Sequence, residues 1–133
     1  MPDASRGLLD TSVVIDLARI DPERLPDESA VAAVSLAELA AGPHAAVDAA
    51  ERARRQDRLQ WAASTWTPLP FDAEAARAYG RVFAAVRQAG RNPRPRLADL
   101  LIAATAAANG LPLYTRNPKD LAGLDGLVDI RVL

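Results

Sequence analysis

A chain of 133 residues with no cysteine and a formal net charge of −1 is about one domain's worth of protein, and it must hold together without disulfides. The missing cysteines exclude thiolate metal sites and a cysteine nucleophile and fit a cytoplasmic protein, while the balanced charge excludes a chain-wide attraction to nucleic acid. Half of the residues are hydrophobic, enough for a real core, yet the most apolar run, Leu97 to Asn109, contains Asp99 and is too short to cross a bilayer.

Met1 to Arg6 is polar, lacks the apolar core of a signal peptide, and reads as a loose tail before a single domain over 7–133. Gly7-Leu8-Leu9 predicts a short strand ending at Asp10. A helix over Ser12 to Ala18 follows, capped by Thr11 or Ser12. Ala30 to Val34 predicts a second strand and Ser35 to Ala41 a helix. Ser35 and Glu38 stand at capping-box spacing, and Gly42-Pro43 is the expected stop.

Ala45 to Thr65 reads as a long helix, Thr67 to Leu69 as a short strand, and Asp72 as the cap of a helix running to about Ala89. Gly90 to Pro95 reads as a loop, and Leu97 to Asn109 as a helix closed by Gly110. Leu113 to Thr115 and Val128 to Val132 are the last expected strands. Short apolar runs alternating with longer helical ones predict βα units around a parallel sheet.

The cations are almost all arginine, with Lys119 the only lysine. One cluster is Arg52, Arg54, Arg55 and Arg58; another is Arg87, Arg91, Arg94 and Arg96. The planar guanidinium fork suits phosphate, but the first cluster reads equally well as a solvated helix face. His44 follows a helix boundary and suits a surface or capping role. Trp61 and Trp66 suit packing better than base stacking.

Three carboxylates interrupt segments that otherwise build a core. Asp10 sits at the carboxyl end of the first expected strand, where open α/β sheets bind ligands. Glu38 lies in the apolar context Ser35-Leu36-Ala37-Glu38-Leu39. Asp99 falls on the first turn of a helix apolar nearly all round, and a carboxylate there needs a partner, a cap role or a metal. Taken singly, Asp10 reads as a cap, Glu38 as half of a capping box, and Asp99 as a dipole partner. Converging together they would repel, and a hard cation relieves that repulsion. Oxygen ligands favour Mg2+, with Mn2+ as a substitute.

The sequence also resembles a known family. Leu8-Leu9-Asp10-Thr11-Ser12-Val13-Val14-Ile15-Asp16 is similar to the opening motif of PIN-domain nucleases, and Ser35-Leu36-Ala37-Glu38-Leu39 to their second acidic motif. Asp99-Leu100-Leu101-Ile102-Ala103-Ala104-Thr105-Ala106 is similar to the third motif, and Thr115-Arg116-Asn117-Pro118-Lys119-Asp120-Leu121 to the fourth. Four motifs in order over nearly the whole chain resemble in particular the VapC toxins, the ribonuclease half of VapBC toxin–antitoxin pairs.

The resemblance implies a three-layer α/β/α sandwich with a mostly parallel central sheet. It implies that Asp10, Glu38 and Asp99 surround the metal, and that the fourth acidic position falls at Asn117, which offers a carbonyl oxygen without charge. Asp120 could supply part of the charge missing at Asn117, though tying down the local turn is the favoured reading, and Asp16 is expected to be peripheral. Thr11, Ser12 and Thr115 are the expected supporting hydroxyls. The implied reaction is magnesium-assisted hydrolysis of an RNA phosphodiester. Arg94, Arg96 and Arg116 lie beside the site as candidate RNA contacts. The implied partners are a VapB-type antitoxin in a hetero-oligomer, a second copy in a homodimer, and RNA; no membrane is implied. Rival readings are a catalytically weak PIN domain, an Asp-nucleophile phosphatase, and a receiver-like domain. The last two lack the second early acid, and Lys119 is poorly placed for a receiver.

Overall fold

A computed structural model of the chain describes residues 5–133. Of the expected tail, Met1 to Ala4 lies outside the described residues, and Arg6 already belongs to the first strand.

Four short strands form one parallel sheet: β1 (Arg6–Leu9), β2 (Glu28–Val31), β3 (Leu113–Thr115) and β4 (Ile130–Val132), in the order β2-β1-β3-β4. Five helices accompany them: α1 (Thr11–Ile15), α2 (Ala33–Ala45), α3 (Ala49–Thr65), α4 (Ala73–Gln88) and α5 (Leu97–Asn109).

Successive strand residues point to opposite faces, so each inner strand must supply two cores. Leu8, Ala30 and Leu113 join Val82, Val86, Leu100, Ile102 and Ala103 of α4 and α5 on one side. Leu9, Val31 and Tyr114 join Val13, Val14, Leu39 and Ala62 of α1, α2 and α3 on the other. That division makes the expected α/β/α sandwich. Gly7 is the point of tightest approach, because a Cβ there would run into the ring of Tyr114. Gly110 closes α5 at φ 63°, in the left-handed region where a side chain is strained.

Several expected boundaries move, each for a local reason. α1 ends at Ile15 and a 3-10 turn over Leu17–Arg19 follows, so the helix to Ala18 is shorter than the apolar pattern suggests. Its cap is Asp10, not Thr11 or Ser12, because Asp10 accepts from the Val13 N–H. β2 runs from Glu28 to Val31 in register with β1, and α2 begins at Ala33 with Ala32 at its cap. Ser35 is therefore inside the helix, and no capping box forms with Glu38.

α2 also passes through Gly42-Pro43 to Ala45. Proline removes a single N–H near the helix end, and the exposed carbonyls find donors: Arg55 Nη1 reaches Gly42 O at 3.0 Å and Arg52 Nε reaches Pro43 O at 3.3 Å. Arg54 and Arg55 also pair with Glu51 within α3, so it is Arg52 and Arg55 of the first arginine cluster that secure the α2–α3 corner. α3 starts only at Ala49, capped by Asp48. The strand expected over Thr67–Leu69 reduces to one parallel bridge between Leu69 and Ala32. β4 begins at Ile130 rather than Val128, whose side chain joins the core.

The cap at Asp72 and the span of α5 fall where the sequence puts them. His44 is exposed in the last turn of α2. Trp61 and Trp66 meet edge to face at 5.0 Å, with Trp66 against the core, which is a packing arrangement. Among the described residues, no helix is long and apolar enough to cross a membrane.

Candidate active site

All the parallel strands end on the same edge, and the chain turns there into helices or loops. β1 delivers Asp10, the β2–α2 segment delivers Glu38 one turn later, and β3 delivers Thr115 and then Asn117. Asp99 reaches this edge from the first turn of α5.

Asp10 is buried, at 8% exposure, and serves two purposes. Its Oδ1 accepts from Ser12 Oγ at 2.5 Å and from the Val13 N–H at 3.2 Å, capping α1. Among the described residues no hydrogen bond reaches Oδ2, which leaves that oxygen for a ligand. Ser12 Oγ also accepts from the Arg116 N–H at 3.2 Å, and Thr115 Oγ1 accepts from the Asn117 N–H at 3.0 Å. The fourth-motif segment is thus stitched to the start of α1.

Glu38 is exposed on α2, and Thr11 Oγ1 lies 2.5 Å from its Oε1 and 3.0 Å from Ser35 Oγ. A carboxylate only accepts, so the single Thr11 proton goes to Glu38 and Ser35 donates to Thr11. Ser35 is fully buried, so this pair anchors Glu38 to the core.

Asp99 is half-buried and its pKa is pushed up to about 6, first by burial and then by the negative charges of Asp120, Glu38 and Asp10. The Arg96 guanidinium acts in the opposite direction without cancelling them. The three acids singled out in the sequence therefore share one electrostatic neighbourhood.

Asp120 belongs to that neighbourhood as well. Its backbone N–H bonds Asn117 O at 3.1 Å, which is the expected turn, but its side chain faces Asp99 and pairs with Arg96 at 3.3 Å. Both readings of Asp120 therefore have a counterpart in the structure, the turn in its backbone and the added charge in its side chain. The signal available was its place one turn of 3-10 helix (Pro118–Leu121) beyond Asn117. Asn117 itself is exposed at the cap of that turn, with no side-chain cap bond. Asp16 pairs with Arg116 at 3.6 Å, away from the cluster of four acids. Arg94 is exposed, and its backbone N–H is taken by Asn92 Oδ1 at 3.1 Å.

Whether this set fits a cation is a question of donors and spacing. The donors are all oxygen, which suits a hard divalent ion, and beside the burial that chiefly raises the Asp99 pKa, three neighbouring acids add negative charge that a cation would relieve. Among the described residues, no three acidic or histidine side chains stand close enough to grip one ion directly. The set therefore fits an ion such as magnesium, which keeps several waters and takes only one or two carboxylates directly.

A hollow of about 420 Å³ beside the cluster is lined by Thr11, Ile15, Glu38, Leu39, Arg55 and Arg58. Another of about 320 Å³ is lined by Arg116, Asn117, Lys119 and Asp120. A larger one, about 750 Å³, opens at the opposite, amino end of the strands between Arg6, Leu111 and Asp129, and holds none of the four clustered acids.

Comparison with known proteins matches this architecture. The PIN domain family matches residues 7–126. Ribonuclease VapC5 of Mycobacterium tuberculosis is 39% identical over 130 residues, 96% of this chain and 93% of that protein. The crystal structure of VapBC-5, a member of the VapBC family of toxin–antitoxin systems from the same organism, superposes with a TM-score of 0.83, covering 97% of this chain and 98% of that one. FitAcB from Neisseria gonorrhoeae, at 26% identity, superposes with a TM-score of 0.73 over 93% of this chain and 95% of that one. The chain belongs to the PIN-domain family, and within it to the VapC ribonucleases.

Proposed function

We propose that this protein is a magnesium-dependent endoribonuclease acting as the toxin of a toxin–antitoxin pair. The observation that carries the reading is the gathering of Asp99, Asp120, Glu38 and Asp10 at the carboxyl edge of the sheet, where burial first and then the neighbouring negative charges hold the Asp99 pKa near 6. Membership in the PIN family sets aside the Asp-nucleophile phosphatase and the receiver-like domain.

Asp10 through Oδ2, Asp99, and Glu38 through water would hold Mg2+, or Mn2+ in its place, with Asn117 offering a neutral oxygen and Asp120 adding charge. Bound there, the ion supplies Lewis acidity to the phosphodiester and to the attacking water. Glu38, anchored through Thr11 and Ser35, orients that water with its second oxygen and accepts a proton from it. In-line attack at phosphorus breaks the bond to O3′, which takes a proton from solvent water, and leaves a 5′-phosphate and a 3′-hydroxyl. Ser12 and Thr115 hold the two loops that frame the pocket. Arg94, Arg96 and Arg116 surround the site as phosphate contacts.

An enzyme that cuts cellular RNA needs restraint, and VapBC-5 is described as a member of a toxin–antitoxin family. We assign this chain a VapB-type antitoxin as partner, within a hetero-oligomer built on a toxin homodimer, in the cytoplasm. The test is incubation of the purified chain with RNA in magnesium or in EDTA. Cleavage only with metal, lost in Asp10→Ala and Asp99→Ala, supports the proposal. RNA binding without cleavage under any metal identifies a catalytically weak PIN domain instead.

A further inference from the structure

Among the described residues, Arg96 is the cation that pairs with one of the four clustered acids. It is the residue before α5, three positions ahead of Asp99, and its Nε lies 3.3 Å from Asp120 Oδ1. It is also the positive charge that acts on Asp99 against the three neighbouring acids. Two other arginines near the site pair with acids outside the cluster, and Arg94 and Arg58 enter no ion pair among the described residues. Arg116 pairs with Asp16 and Arg55 with Glu51. The Arg96 guanidinium has no acceptor with which to cap α5, and its side chain is about half-exposed, so holding Asp120 is the structural work it does.

We propose that Arg96 is a built-in counterion of the acidic pocket: paired with Asp120, it competes with the divalent cation and thereby sets how tightly the pocket holds that cation. The inference rests on the reading of the pocket as a cation site. The physical reason is charge. A guanidinium beside Asp120 neutralises part of the field that attracts a divalent ion, and it repels that ion across the pocket. Coupling of this kind is reciprocal. Whatever Arg96 does to cation affinity, the cation does to the Arg96–Asp120 pair, so loading the pocket loosens the guanidinium. A loosened Arg96 then offers its donors to an RNA phosphate at the same rim. The pairing would link metal loading to substrate binding through one side chain.

The experiment is calorimetric titration of Mn2+ into the full chain and its variants at low salt, with no RNA present. Arg96→Gln should bind Mn2+ about fivefold more tightly than the parent, which is what one unit charge about 8 Å from a divalent ion is worth in a water-like medium. Arg96→Lys keeps the charge and should stay close to the parent. As a second readout, the Arg96 Nε–H resonance should move on titration with Mg2+ in the parent, and much less in Asp120→Asn, where the carboxylate partner is gone. Unchanged or weaker Mn2+ affinity in Arg96→Gln, with saturable binding by the parent, overturns the proposal and leaves the cation site standing. Absence of saturable binding by parent and variants alike overturns the cation site and the proposal with it. Because Arg96 is exposed, unfolding of the variant is not expected, and a thermal melt alongside each titration checks it.

Discussion

Thr11 Oγ1 lies 2.5 Å from Glu38 Oε1, and it joins the first residue of α1 to the second turn of α2 across 27 positions of sequence. With Ser35 behind it, the threonine holds a surface carboxylate in one orientation without being a ligand itself. Thr11→Val keeps the shape and removes the proton. It should lower cleavage about tenfold, the usual loss when a supporting partner of a metal site is removed, with little change in melting temperature. Thr11→Ser should restore most of the rate. Equal rates for the parent and Thr11→Val would show that Glu38 needs no such support.

Asp10 combines two functions that different substitutions separate. Its Oδ1 caps α1, which asparagine also does well, whereas its charge serves the pocket. Asp10→Asn should abolish metal-dependent cleavage while keeping stability near the parent's. Asp10→Ala should abolish cleavage and also cost about 1 kcal/mol of stability through the lost cap. Denaturant melts of the two variants, run beside an RNA cleavage assay, check this. Equal stability of the alanine and asparagine forms would remove the cap from the account.

Asp99 makes stability depend on pH with a particular sign. Its pKa is raised from the ordinary 3.8 to about 6, so the fold prefers the neutral acid. That preference stabilises fully below 3.8 and is lost as pH rises through about 6. In EDTA, the melting temperature of Asp99→Asn relative to the parent should therefore climb between about pH 4 and pH 6 and level off above. Added magnesium should raise the parent's melting temperature at neutral pH and leave the variant's unchanged. A relative melting temperature flat across that range would mean that neither burial nor the neighbouring acids disfavour the Asp99 carboxylate.

What the sequence made legible follows from which physics is local. The cap at Asp72 and the Gly110 stop depend on a few neighbouring residues, and the sequence read them directly. The two-sided burial of Leu8 and Leu9 follows from strand geometry and a continuous apolar run. Gly42-Pro43 misled because the arginines that satisfy its carbonyls come from the next helix. Ser35 and Glu38 had the spacing of a capping box, yet the partner that engages both is Thr11 on another helix. At Asp120 the sequence ranked the local role above the long-range one. Its backbone does form the local turn, while its side chain answers to Asp99 and Arg96, two residues it meets only after folding.

Arg94 tests whether RNA crosses the rim just before α5. Its side chain is exposed, and among the described residues it enters no ion pair. A side chain with nothing to hold inside the protein loses little stability when replaced. A change in RNA binding would then report a contact with RNA. Each phosphate contact releases counterions, so the logarithm of affinity falls with the logarithm of salt by about 0.7 per contact on a single strand. Arg94→Gln, measured in the cleavage-inactive Asp99→Asn background to keep the RNA intact, should bind more weakly at low salt and show a slope shallower by about that amount. The weakening should be similar for RNAs of different sequence, since phosphate contacts position a strand without reading its bases. A slope identical to that of Asp99→Asn alone would take Arg94 out of the RNA path and leave phosphate recognition to Arg96 and Arg116.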